Sequence, residues 1–380
     1  MKLQPVALHA PIELLQPAEI AFGAGALARL ARFAARHGLT RTLVVADAFN
    51  ATRINLLGLE GEVAVFGEVK PEPDVHNLNA ALKLAEEFKP DFVIGFGGGS
   101  AMDLAKLVAV LPGSGESIHD VVGPDKAPAR KVKLAQISTT SGTGSEAGIR
   151  ALVTDPATRN KLAVQSANML ADLAIIDPEL TMSVPAAITA ATGVDALAHC
   201  VEAYTSRKAH PLIDTYALTG AQLVGRYLPR AVADGSDKEA RAGLALASLY
   251  GGFCLGPVNT TAGHAVAYPL GSRHNLPHGL ACALIFPHTL AFNAPACPDK
   301  TNAVLEALGL PASTDPETIR QSTREWCAKL GMDMRLSANR VPEDDLAAMA
   351  QEAHAIRRLL DNNPRDMSVA DILSLYRTAF

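Results

Sequence analysis

From about residue 18 to 185 the chain alternates short apolar runs with segments whose apolar residues recur every three or four positions, and after Pro185 that alternation stops. EIAF (19–22), TLVVAD (42–47), FVIGFGG (92–98), LAQIST (134–139) and LAIID (173–177) each read as a buried strand. Between them, ALARLARFAARHG and NLNAALKLAEEFKP read as helices that stop at Gly or Pro. Strand and helix in strict succession predict βαβ units, and hence a parallel sheet. Beyond Pro185, AAITAATGVDALAHCVEAYTS and TYALTGAQLVGRYLPRAVADG predict helices and no strand. Ser313, Thr314 and Asp315 supply cap signals before ETIRQSTREWCAKLG. The expected organisation is an α/β domain over 1–184 and an all-helical domain over 185–380, in keeping with roughly 150 residues per domain.

The composition narrows the function classes. Apolar residues are 48% and charged residues 19%, enough apolar surface for a large core and unlike a disordered chain. Thirty-four basic against thirty-nine acidic side chains, a formal charge of -5, lack the basic footprint of a nucleic-acid binder. No apolar run is expected to approach the roughly 18 to 20 residues that cross a bilayer. The first twenty residues carry Pro, His and Glu where a signal peptide needs an apolar core. Cys200, Cys254, Cys282, Cys297 and Cys327 are odd in number and widely spaced, unlike a disulfide framework or a CxxC zinc site. These features predict a cytoplasmic chain with neither membrane nor nucleic acid as partner.

Three stretches carry chemistry. GGGSAMDLAK (97–106) directly follows the strand FVIGF; glycines between a strand and a helix let backbone N–H groups approach a diphosphate, and the helix N-terminus adds partial positive charge. The alternative is a tight turn with Ser100 as the N-cap and Asp103 closing a capping box. GAGALA (23–28) is a competing fingerprint, with Asp47 about 20 residues later. Asp47, at the end of TLVVAD, suits the ribose hydroxyls of NAD and would repel the extra phosphate of NADP, or it caps the helix before AFNATR. STTSGTGSE (138–146) clusters hydroxyls and glycines that suit phosphate or a polar ring, and equally suit a plain loop.

The third stretch is GVDALAH, where Asp195 and His199 lie four apart on one helix face. HAVAYPLG (264–271) and HNLPHG (274–279) offer further imidazoles. One carboxylate and three imidazoles can hold a divalent first-row metal and leave a position for a substrate oxygen. A surface Asp/His pair with unrelated core histidines is the alternative.

GGGSAMDLAK, TTSGTGSEA, DALAHCVEAY, and HAVAYPLG followed by LPHG, occur in the order and approximate spacing of the iron-containing (group III) alcohol dehydrogenases, which the chain resembles from about residue 15 to 300. The resemblance implies a dinucleotide-binding α/β domain with a parallel sheet and an all-α C-terminal domain, a dehydroquinate synthase-like architecture, with the active site in the cleft between them. It implies Asp195, His199, His264 and His278 as ligands of Fe2+, with Zn2+ or another divalent metal compatible. Gly97, Gly98, Gly99 and Ser100 would cradle the NAD(P) diphosphate, Asp103, Thr139, Thr140 and Thr143 would line the groove with Lys161 alongside, and Asp47 would select NAD over NADP. The implied substrate is a small alcohol or aldehyde, and the implied assembly is a homodimer or larger homo-oligomer.

Several positions depart from the family pattern. Tyr268 stands where many members carry a second histidine with a proton-relay role, His274 where an aromatic is frequent, and Ser138 and Ala171 where prolines are common. Tyr268 or His274 would then carry the proton out, unless they are a packed Tyr and a surface His. A metal-independent reductase like the maleylacetate reductases is the rival of the same fold, and a non-catalytic binding relative is the rival of another class. The four ligands and the glycine loop, all retained, argue against both.

Overall fold

In the computed structural model, residues 7–158 and 160–380 are described; residues 1–6, the start of the segment judged unlike a signal peptide, lie outside them. The chain forms two compact units. One comprises Leu15–Thr140 and Gly144–Met182; the other comprises Ser183–Phe380, Ser141–Thr143 and the described residues up to Leu14.

The first unit holds a six-stranded sheet of β1 (Glu19–Phe22), β2 (Arg41–Ala46), β3 (Glu62–Phe66), β4 (Phe92–Gly97), β6 (Lys133–Ser138) and β9 (Leu173–Ile176), in the order β1-β9-β6-β4-β2-β3. Every pair is parallel, for example Val45 opposite Gly95 and Gly97 opposite Ser138. Apolar residues dominate the central strands, with Gln136 of β6 a buried exception, because both faces are covered. Leu43 and Val45 pack with α3 (Val75–Phe88) and α4 (Gly99–Val110), while Val44 and Ala46 point the other way, onto Leu30 and Phe33 of α1 (Arg29–His37). β5 (Gly123–Pro124), β7 (Arg150–Thr154) and β8 (Lys161–Gln165) form a small second sheet, which the sequence periodicity does not announce.

Two expectations are corrected here. EIAF is an edge strand, not a buried one, with Ile20 and Phe22 exposed. Gly98, not Ser100, is the N-cap of α4, and Asp103 makes no capping box; it accepts from Ser145 Oγ (2.6 Å) and Leu152 N (2.9 Å).

The second unit is helical: α5 (Ala186–Thr205), α6 (Pro211–Ala233), α7 (Lys238–Leu255), α8 (Ala262–His274), α9 (His278–Asn293), α10 (Pro298–Ala307), α11 (Pro316–Ala328), α12 (Leu346–Ala355), α13 (Arg357–Leu360) and α14 (Val369–Ala379). Asp315 caps α11 by accepting from Thr318 N at 2.9 Å. His278–Ala296 has a mean hydropathy of 1.2 and the length to cross a bilayer, contrary to the expectation that no run approaches it, but 78% of that window is buried. It is apolar because it forms the centre of the unit, where α5, α8 and α11 pack on it.

A polar knot ties α4 to the loop after β6. Lys106, 1% exposed, donates to Ser145 Oγ and Arg150 O, both at 2.7 Å, and burial lowers its basicity. Glu146 is also 1% exposed; burial pushes its carboxyl up to about 7, against the pull of its own backbone N–H and Lys106. A carboxyl that is harder to ionise in the fold weakens the fold as pH rises from about 4.5, and the loss is complete above about 7. The shift corresponds to on the order of 3 kcal/mol. In urea unfolding at pH 5 and pH 8, the stability of Glu146→Gln relative to the unsubstituted protein should therefore rise with pH by a few kcal/mol at most; an unchanged difference would contradict the assignment.

Candidate functional site

Three imidazoles of the helical unit converge on one carboxylate oxygen. α5 carries Asp195 and His199 one turn apart, α8 carries His264 in its first turn, and α9 begins at His278. The Nε2 atoms of His264 and His278 lie 3.5 Å, and that of His199 3.7 Å, from Asp195 Oδ1. The His199 and His264 rings stack with centroids 4.7 Å apart. Asp195, His199 and His264 are buried, whereas the His278 side chain is 28% exposed and forms the open edge of the cluster.

The rings are held from behind. His264 Nδ1 lies 2.6 Å from Glu202 Oε1, and His199 Nδ1 lies 3.3 Å from Gly142 O, so both rings turn Nε2 inward. Glu202 also accepts from the backbone N–H groups of Thr261 (2.6 Å) and His264 (3.3 Å), capping α8 from outside, since Thr261 makes no side-chain cap. The close approach needs Gly263: a Cβ there would lie 2.5 Å from Glu202 Oε1. Burial would raise the Asp195 carboxyl, but the three histidines reverse this and hold it well below the usual carboxylate range. Burial, with the neighbouring imidazoles, lowers His199 to about 4 against the pull of Asp195, which keeps its ring neutral.

Asp195 Oδ1 and His264 Nε2 are both buried without a hydrogen-bond partner. Such groups are costly unless something completes them, and a carboxylate facing three imidazole nitrogens is the donor set of a divalent cation. Cys282, one turn along α9 from His278, adds its sulfur to the same point. Tyr268 is beside the cluster, its ring centroid 5.9 Å from that of His278 and 6.3 Å from that of His264. His274 is turned elsewhere, its Nε2 3.3 Å from Asp345 Oδ2 without a hydrogen bond.

The α/β unit brings the cofactor candidates to adjoining strand ends. The connection after β2 leads to β3 on one side and that after β4 leads to β6 on the other, so the crevice between β2 and β4 is the topological switch point where doubly wound sheets take ligands. Asp47 follows β2, residues 97–100 end β4 and open α4, and Thr139 and Thr140 follow β6. A Cβ on Gly97 would lie 3.0 Å from Asp47 Oδ2, and one on Gly98 would lie 3.3 Å from Thr140 Oγ1. Asp47 caps α2 (Ala48–Ala51), accepting from Asn50 N (3.0 Å) and Nδ2 (2.7 Å), and Asn50 Nδ2 also reaches Thr139 Oγ1 at 3.3 Å. Cap and ribose acceptor are compatible, because each carboxylate oxygen has a second lone pair. GAGALA follows β1 at the sheet edge, away from this crevice. Asp103 is bonded to Ser145 and Leu152, and Lys161 to Glu72 and Thr154, so both are engaged within the unit. Thr143 belongs to the segment that packs with the helical unit.

Family models agree with both halves of this picture: "Iron-containing alcohol dehydrogenase" matches residues 17–178, and "Fe-containing alcohol dehydrogenase family, C-terminal" matches 189–380. The chain belongs to the iron-containing alcohol dehydrogenase family. It is 36% identical over 374 residues to the long-chain-alcohol dehydrogenase 1 of Geobacillus thermodenitrificans, covering 94% of each chain. The crystal structure of a 1,3-propanediol oxidoreductase superposes with TM-score 0.92 at 30% identity, covering 98% of this chain and 100% of that one. A sulfoacetaldehyde reductase from Bifidobacterium kashiwanohense, solved in complex with NAD+, matches with TM-score 0.87 at 31% identity, covering 97% and 99%. As a member of the iron-containing alcohol dehydrogenase family the chain is an oxidoreductase of alcohols that uses a nicotinamide cofactor, and its fold is that of the family: a parallel-sheet α/β unit and a helical unit.

Sequence reasoning missed Glu202, Asn50 and Cys282. Glu202 and Cys282 had a weak signal in their spacing, three residues past His199 and four past His278; Asn50 had its Asx-type spacing from Asp47. Glu202→Gln should keep the fold but weaken metal retention on the order of 10- to 100-fold, as loss of a carboxylate behind a ligating histidine does; chelator competition on the purified protein measures it.

Proposed function

We propose that the chain interconverts small alcohols and aldehydes with NAD as the preferred hydride carrier and a divalent cation, iron(II) or zinc, held by Asp195, His199, His264 and His278. The observation that carries the proposal is the convergence of three imidazole nitrogens on Asp195 Oδ1, with that oxygen and His264 Nε2 buried and unpartnered. The cation's part is Lewis acidity, which eases loss of the hydroxyl proton in oxidation and polarises the carbonyl in reduction.

The chain's own groups supply the rest. Glu202 and the Gly142 carbonyl fix the His264 and His199 rings, and burial keeps His199 neutral with its Nε2 lone pair free. The exposed edge at His278 admits the alcohol. Tyr268 takes the hydroxyl proton outward; its ring contacts with His264 and His278 support this, and His274 faces Asp345 instead. Gly97, Gly98, Gly99 and Ser100 at the start of α4 hold the diphosphate through backbone N–H groups, and Asp47 accepts from the adenosine ribose hydroxyls. The retained donor set favours this over a metal-independent reductase or a non-catalytic relative. The same proposal has the enzyme cytoplasmic and homo-oligomeric, a dimer or larger.

The metal-loaded protein should reduce NAD+ in the presence of linear primary alcohols, lose the activity on chelation, and prefer NAD+ to NADP+. Asp47→Gly should collapse the cofactor preference by roughly tenfold or more, since each tenfold is about 1.4 kcal/mol of relieved repulsion. Equal efficiency of both cofactors before substitution would overturn the role of Asp47. Tyr268→Phe should slow alcohol oxidation on the order of 100-fold with metal content and cofactor affinity unchanged; steady-state kinetics across pH, paired with metal analysis, decides it.

A further inference from the structure

We propose that Cys282 is an additional ligand of the cation site and that its sulfur biases the site toward zinc over iron(II). The inference rests on the metal reading of the cluster. The Cys282 sulfur and one donor atom from each of Asp195, His264 and His278 all lie within 4.8 Å of one another. Cys282 is 2% exposed, and its Sγ is 3.7 Å from His278 Nε2. Four residues separate the two on α9, so they share the face that meets α5 and α8. Asp195 Oδ1 and His264 Nε2, buried and unpartnered, face the same point and mark it as a site rather than a stray thiol.

The other four cysteines are unlike this one. Cys200, Cys254 and Cys327 are buried among apolar side chains, and the Cys297 thiol donates to Asn293 O at 3.4 Å. Each belongs to apolar packing or a local bond, whereas Cys282 meets two imidazoles and a carboxylate. A cysteine ligates as the thiolate, its proton passing to solvent as the cation binds. Soft thiolate favours zinc, while an all-N/O set leaves iron(II) and zinc closer together.

X-ray absorption of the zinc-loaded protein tests the ligand directly. A sulfur neighbour at about 2.3 Å beside nitrogen and oxygen at about 2.0 to 2.1 Å is the expected result. Nitrogen and oxygen alone would overturn the inference and leave the metal reading intact; failure to retain zinc would overturn both. Cys282→Ser should lose the sulfur shell, and its zinc-to-iron(II) affinity ratio, from competition against a chelator, should fall on the order of tenfold or more. Cys297→Ser should keep both. An unchanged ratio in folded Cys282→Ser overturns the selectivity claim, and should that variant not fold, the spectrum of the unsubstituted protein still decides the ligand.

Discussion

A buried carboxylate oxygen without a hydrogen bond is the constraint around which the helical unit is organised. Asp195 Oδ1 lies in the middle of α5 with three imidazoles 3.5 to 3.7 Å away. A charge taken out of water must be paired or ligated. Burial keeps the His199 ring neutral; burial would lower His264 too, but Cys282, Glu202 and Asp195 raise it well above the usual imidazole value. The surrounding architecture follows from keeping these groups together: α8 and α9 bring His264 and His278 against α5, and Glu202 from α5 closes the loop by capping α8 and fixing the His264 ring. Gly263 is small because Glu202 passes beside it.

The α/β unit works by a different principle, one of direction. Parallel strands put all their carboxyl ends on one edge, so the loops after β2, β4 and β6 are neighbours although about 45 residues separate each from the next. Asp47, Gly97, Gly98 and Thr139 meet there because Val45 registers with Gly95 and Gly97 with Ser138. The knot of Lys106, Ser145, Asp103 and Glu146 anchors α4 to the loop after β6, which holds the start of α4 beside that loop. Asp103 takes part in this anchoring, and Lys161 is bonded to Glu72 and Thr154.

Local pattern made the central strands, α1, α3, the Asp315 cap and the Asp195/His199 pair legible, because each depends on residues within one or two turns of each other. Edge strands were harder: EIAF looks buried by composition, yet among the described residues β1 pairs with β9 alone and leaves Ile20 and Phe22 exposed. β7 and β8 were missed because their pairing relies on a hairpin partner more than on a strong period of their own. Ser100 resembled a cap by residue type, but the helix already begins at Gly99, two residues earlier than that role requires, and Gly98 takes it.

By itself the sequence determined the order of βαβ units, the change to helices after Pro185 and the chemical types available, a glycine loop after a strand and one carboxylate with several histidines, since these follow from composition and short-range spacing. Tertiary structure alone decided which of those types meet. It brought Glu202 behind His264, Asn50 between Asp47 and Thr139, and Cys282 to the Asp195 oxygen, and it turned His274 to Asp345. The physical reason is range: periodicity reports which face a residue occupies on its own element, whereas a ligand set is defined by atoms a few ångströms apart on helices up to about 85 residues apart in the chain, and only packing fixes that distance.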